Sequence, residues 1–200
     1  MIAALFVDPA GVYAGLPDVE CWGIERDARQ YPGPYPAICH PPCARWGRFW
    51  HGSPCNPHQY AKGDDAGCFA AALAAVRRHG GVLEHPAHSH AWFAHGLPWP
   101  AAAGGWQCDI DGGWCCHVEQ GHYGHPARKP TWLYAVGCRL PELHWGPAEQ
   151  RLPGYAVERY GYEKARRIGV IGAIGGRDKT RIRNATSPAF RDVLLAMVRA

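Results

Sequence analysis

A cysteine that follows two prolines, in His40-Pro41-Pro42-Cys43, is the residue of this chain best suited to covalent chemistry. A thiolate is a strong nucleophile, and the prolines preset the backbone that leads to it. Carboxylates recur at comparable places. Asp8 follows the first apolar run, Glu25 and Asp27 the second, and Glu84 the run after the clearest helical stretch. If those runs are parallel strands, the groups lie along the edge where open α/β sheets bind ligands. Read singly, each carboxylate is an ordinary turn cap. Cys43 also belongs to a second pattern. Cys39-x3-Cys43-x11-Cys55-x2-His58 has zinc-ligand spacing, with His40 and His51 as further donors. Zinc there would consume the thiolate, although Pro-Pro between the first two ligands removes backbone donors that a tight metal turn uses. Nucleophile, structural metal ligand and inert loop cysteine are thus three readings of one residue.

The elements that must position these groups are legible in outline. Ile2 to Val7 reads as a buried strand ended by Asp8-Pro9, with a glycine-bearing turn through Gly11 and Gly15. Val19 to Ile24 and Tyr35 to Cys39 read as further strands. Asp65 can cap a helix over 67–78, where Phe69, Leu73 and Val76 recur at helical spacing, and Gly80-Gly81 stop it. Val82-Leu83-Glu84 then forms a strand, and strand-helix-strand is the signature of a parallel sheet. Trp114 to Glu119 and Thr131 to Val136 read as a hairpin with a long basic loop; Cys115 and Cys116 face opposite sides of the first strand, as core filler. Tyr155 to Ile168 reads as a helix within a reduced insertion at 140–176, and the Gly-Ile-Val run 168–176 has no assigned state. Ser187 and Pro188 open a closing helix with Phe190, Val193, Leu194, Met197 and Val198 on one face. The expected fold class is α/β, with one catalytic-core-like domain over 1–200.

Composition sets the bounds. With 47% hydrophobic and 19% charged residues, 200 residues can build a sizeable core and are not a disordered polar chain. A net charge of +4 permits nucleic-acid contact without demanding it, and the run Arg177 to Arg183 reads first as a solvated face. Nine Trp and nine Tyr beside five Phe suit stacking on flat ligands as well as the filling of a loop-rich core. The opening apolar run is too short for a signal peptide or a membrane span, so a cytoplasmic protein with no membrane contact and nine reduced cysteines is expected.

The ordered set of motifs resembles a compact DNA cytosine-C5 methyltransferase catalytic domain of the bacteriophage type. Asp8-Pro9-Ala10-Gly11-Val12-Tyr13-Ala14-Gly15 is similar to the family's cofactor turn, one residue short. Glu25, with Asp27 beside it, matches the acidic residue that bonds the cofactor ribose, and Pro42-Cys43 matches the Pro-Cys nucleophile loop. Glu84 stands where the family's Glu-Asn-Val motif grips the base, without that Asn and Val. Arg128 and Lys129 echo the basic strand motif, and Asn184 in Arg183-Asn184-Ala185-Thr186-Ser187-Pro188 resembles the family's late Gly-Asn-Ala-Val-Pro-Pro.

The resemblance implies a mostly parallel, Rossmann-like class I methyltransferase sheet with a C-terminal helix. It implies S-adenosylmethionine held by Asp8, Gly11, Glu25, Asp27, Pro42 and Asn184. Catalysis would fall to Cys43, Glu84, Arg128 and Lys129, with DNA, single-stranded or with a flipped base, as partner. The interval from Lys129 to Asn184 is too short for a usual target-recognition domain, so target specificity would come from a protein partner or be absent. Two other outcomes stay open. One is a non-catalytic, nucleic-acid-binding or regulatory protein with zinc on Cys39, Cys43, Cys55 and His58. The other is a pyrimidine C5-modifying enzyme with a different donor.

Overall fold

Ile2–Leu5 carries no polar side chain, and it forms β1, buried along its whole length. The computed structural model describes residues 1–48, 50–53, 56–57, 60–173 and 178–199. In chain order β2 (Val19–Trp22) and β3 (Ala37–Cys39) follow, then a small hairpin of β4 (Gly52–Ser53) and β5 (Asn56–Pro57). Helix α1 (Cys68–His79) leads into β6 (Gly81–Pro86), and α2 (His90–Ala94) precedes β7 (Gln107–Cys108), β8 (Trp114–Glu119) and β9 (Pro130–Val136). Helices α3 (Gly154–Tyr160), α4 (Tyr162–Ala173), α5 (Asp178–Asn184) and α6 (Pro188–Val198) complete the chain.

The fold is α/β, built on a seven-stranded sheet of order β2-β1-β3-β6-β9-β8-β7. Strands β2, β1, β3 and β6 pair in parallel, with α1 as the crossover between β3 and β6. The expectation of a mostly parallel sheet needs correction: toward the other edge β6·β9, β9·β8 and β8·β7 all pair antiparallel, so the sheet is mixed. Residues 120–129 join β8 to β9 without a crossover helix, and such a connection makes an antiparallel pair. Two reversals cancel, so β8 points the same way as β6 and β9 alone is reversed between them.

Side chains alternate across the sheet as the pleat requires. Leu5, Cys39, Leu83, Trp132 and Cys115 enter one core with α1 and α2, around Trp46, Phe69 and Trp92. Ile38, Val82, Leu133 and Cys116 enter the other core, against Phe190, Leu194 and Met197 of α6. Adjacent Cys115 and Cys116 thus fill opposite cores, and three of the tryptophans are core filler.

Asp65 caps α1, accepting from Phe69 N at 2.9 Å and from Trp46 Nε1 at 2.7 Å. At the far end Gly81 has φ 120°, and a Cβ there would lie 1.9 Å from the Ala37 carbonyl oxygen, so only glycine starts β6 beside β3. The helix expected over 155–168 is two helices, because Gly161 at φ 72° breaks it; α4 then runs through Gly169, which kinks it at φ 70°. Among the described residues no helix is long and apolar enough to cross a membrane.

Candidate active site

In the parallel half the chain winds from β1 out to β2 and then returns past β1 to β3. The change of direction between β1 and β3 opens a crevice outside their C-terminal ends. Five strand ends meet at this edge: β1 ends before Asp8, β3 before His40, β6 carries Glu84, β8 ends at Glu119, and the reversed β9 begins at Pro130. The reversal that breaks the parallel pattern brings Lys129 and Thr131 to the edge.

Glu84 is the centre of the arrangement and is 7% exposed. His40 Nδ1 lies 3.1 Å from its Oε2, and Gln120 Nε2 donates to its Oε1 at 2.8 Å. Gln120 Nε2 also reaches Thr131 Oγ1 at 3.0 Å, and the Tyr13 hydroxyl meets His40 Nε2 at 2.8 Å. Burial alone would raise the Glu84 carboxyl, but the His40 hydrogen bond and the nearby Lys129 charge outweigh it and hold the group at about 2. Glu84 is therefore ionised at neutral pH.

Cys43 sits half-buried in the loop after β3. Burial and the Glu84 charge push its thiol up, while Arg183 and Lys129 pull it down. Lys129 is itself lowered by burial against the raising influence of Glu84 and Cys43. Its Nζ donates to the carbonyls of Asn184 at 3.3 Å and Ala185 at 2.7 Å, which holds the end of α5 against the site. Cys43, Glu84 and Lys129 are thus within electrostatic reach of one another.

The other expected site residues are placed differently. Arg128 turns to Glu119, 3.9 Å away, and with Lys129 and Arg183 lines a cavity of about 280 Å³ beside the site. The Asn184 side chain accepts from Arg183 Nε rather than reaching toward β1. Asp8 is occupied by its own turn: its carboxylate accepts from Ala10 N at 2.9 Å and its carbonyl from Gly11 N at 2.8 Å. Asp27 is held by Arg29 at 2.7 Å through a two-pronged contact. Glu25 is exposed, and among the described residues no hydrogen bond or ion pair engages it. Pro42 is exposed, with its backbone facing His85.

Of the alternative zinc set, Cys39 faces the α1 core, where its thiol contacts the Ala72 carbonyl at 3.8 Å. Strand alternation turns it away from the face that carries His40 and Glu84. Cys55 and His58 lie outside the described residues. Among the described residues no group of three or more His, Cys, Asp or Glu could hold a metal ion.

The sequence reading missed four members of the site. His40 counted only as a spare metal donor, and Tyr13, Gln120 and Thr131 had no role. The signal for His40 and Thr131 was the period of two: His40 follows core-facing Cys39, and Thr131 precedes core-facing Trp132, so both share the Glu84 face. Compared with known proteins, the chain matches no family model, no curated protein and no solved structure.

Proposed function

We propose that this chain modifies C5 of a pyrimidine, by S-adenosylmethionine-dependent methylation of cytosine in DNA, with Cys43 as nucleophile. The observation that carries the reading is the convergence of Cys43, ionised Glu84 and Lys129 at one sheet edge, from the ends of three neighbouring strands. The winding change between β1 and β3 supports a compact, Rossmann-like class I methyltransferase sheet with an added antiparallel edge.

The donor would lie outside β1 and β2. A Cβ at Gly23 would stand 2.7 Å from the Val7 carbonyl oxygen and one at Gly11 2.9 Å from that of Asp8, so both turns stay free of side chains there. Glu25 offers an unengaged carboxylate to ribose hydroxyls. When bound, S-adenosylmethionine supplies an electrophilic methyl group.

The chain's own residues supply the rest. C5 of cytosine is a poor nucleophile until a thiolate bonds to C6. The Cys43 thiol loses its proton to solvent, sulfur bonds to C6 as the ring electrons shift, and N3 takes up a proton from solvent that is relayed through the Glu84 carboxylate. Lys129 and Arg183 favour the thiolate, and the positive charge of a base protonated at N3 offsets the Glu84 charge that opposes it. Once C5 carries the methyl group that the donor would supply, the C5 proton leaves to solvent, the C6–S bond breaks and N3 returns its proton. The target must be flipped or single-stranded to reach a half-buried thiol. Arg128, Lys129 and Arg183 suit the backbone phosphates beside it.

The test is covalent capture. Single-stranded DNA with 5-fluorocytosine, incubated with protein and S-adenosylmethionine, is expected to give a denaturation-resistant complex joined at Cys43. Absence of both the complex and S-adenosylmethionine binding in calorimetry would overturn the reading. Capture without S-adenosylmethionine binding favours a different one-carbon donor. The self-satisfied Asp8 turn and the Arg29-bound Asp27 favour that second reading.

A further inference from the structure

Two groups at the site have no part in the addition described above. Tyr13, in the turn after β1, is 2% exposed, and its hydroxyl lies 2.8 Å from His40 Nε2. His40 Nδ1 in turn lies 3.1 Å from Glu84 Oε2. The three residues follow or occupy β1, β3 and β6, and they form one hydrogen-bonded line that ends on the carboxylate proposed to meet the base. Gln120 fills the other carboxylate oxygen at 2.8 Å, but an amide donates without giving up a proton.

We propose that His40 is a positioning residue that holds a proton for Glu84, and that Tyr13 fixes its ring for this task. The inference rests on the pyrimidine reading above. N3 of cytosine is an acceptor, so a bare carboxylate cannot activate it. The His40 imidazolium passes its Nδ1 proton to Glu84 Oε2, and the Glu84 carboxyl gives a proton to N3. The ring is left neutral, with Nε2–H donating to the Tyr13 oxygen. When sulfur is expelled from C6, the N3 proton returns along the same path.

A phenol both donates and accepts, so Tyr13 keeps its contact in either state of the ring. It does not supply the proton, because burial and the Glu84 charge push its hydroxyl well above the ordinary value. The groups that bear on this line are Glu84 and, behind it, Lys129 and His85; Cys43 and Arg183 at the nucleophile; and Arg191, which bonds the Val12 carbonyl beside Tyr13 at 2.8 Å.

Two measurements on the full chain test this. In NMR spectra with ¹⁵N-labelled histidine, Glu84→Gln is expected to move the His40 Nδ1 resonance, because its partner at 3.1 Å is replaced. An unmoved His40 Nδ1 overturns the inference whatever else is found. The second measurement is the rate of 5-fluorocytosine capture against pH. His40→Asn keeps a donor for Glu84 without a titrating proton. With the fold retained by circular dichroism, it is expected to slow capture at least about tenfold and to flatten the pH profile. Capture at the wild-type rate and profile overturns the proton-holding role. No capture by wild type at any pH, with the His40 Nδ1 resonance still moved by Glu84→Gln, overturns the pyrimidine reading instead.

Discussion

The two sides of the crevice are built differently. On the β3–β6–β9 side, Tyr13, His40, Glu84, Gln120 and Thr131 are joined by hydrogen bonds and shielded from water, with Lys129 tied to the end of α5. On the β1–β2 side, Asp8 serves its own turn, Asp27 serves Arg29, and Glu25 stands exposed. The closed side has fixed geometry and shifted charge states, the conditions under which proton and covalent chemistry are controlled. The open side has backbone turns without side chains, the conditions for binding a ligand that brings its own reactivity.

The contrast breaks most completely at Cys43. Cys43→Ala is expected to abolish 5-fluorocytosine capture and turnover, with a thermal melt like that of wild type. The next largest effect is Glu84→Gln, expected to slow capture by about 10²- to 10⁴-fold. It also changes acid stability. Because the folded state holds Glu84 at about 2, its contribution is present above the ordinary 4.5 and is lost as pH falls from there toward 2. Urea melts at pH 5 and pH 3 should therefore converge in Glu84→Gln relative to wild type.

A smaller effect is expected one residue on. His85 is fully buried between Phe69 and Trp92, and among the described residues neither ring nitrogen has a hydrogen-bond partner. Burial holds it neutral down to about 4, against 6.5 in an unfolded chain. The unfolded state binds the extra proton across that window, so stability falls as pH drops from 6.5 to 4. His85→Phe should remove this slope, worth roughly 3 kcal/mol at most, in melts across that pH range. The smallest effect belongs to the open side. Glu25→Ala should leave the melt unchanged and weaken S-adenosylmethionine binding in calorimetry. Equal loss of capture and stability in Glu25→Ala would erase the distinction between the two sides.

Much of the frame was legible. The apolar runs at 2–7 and 35–39, the Asp65 cap and the Gly80-Gly81 stop mark β1, β3, α1 and β6 through local propensity and period. The reversal of β9 was legible only as a hairpin, since nothing in 114–136 states which strand of the parallel set it joins. Its consequence for the site, the arrival of Lys129 and Thr131, depends on that pairing. Gln120 was invisible for the same reason: its partner Glu84 is 36 residues away in sequence. The zinc spacing shows the opposite error. Cys39 and Cys43 are close in the chain, yet strand alternation gives them different faces.

The Gly81 contact has a consequence for how much change the site can absorb. With the Ala37 oxygen 1.9 Å from where a Cβ would stand, β3 and β6 touch at their starts with no slack. β3 is only three residues long, and His40 just past its end meets Glu84, three residues on from Gly81 in β6. Gly81 therefore acts as the pivot of a pair of tweezers. A single methyl group at the hinge would splay the tips, and it would do so without altering any residue that a substrate meets.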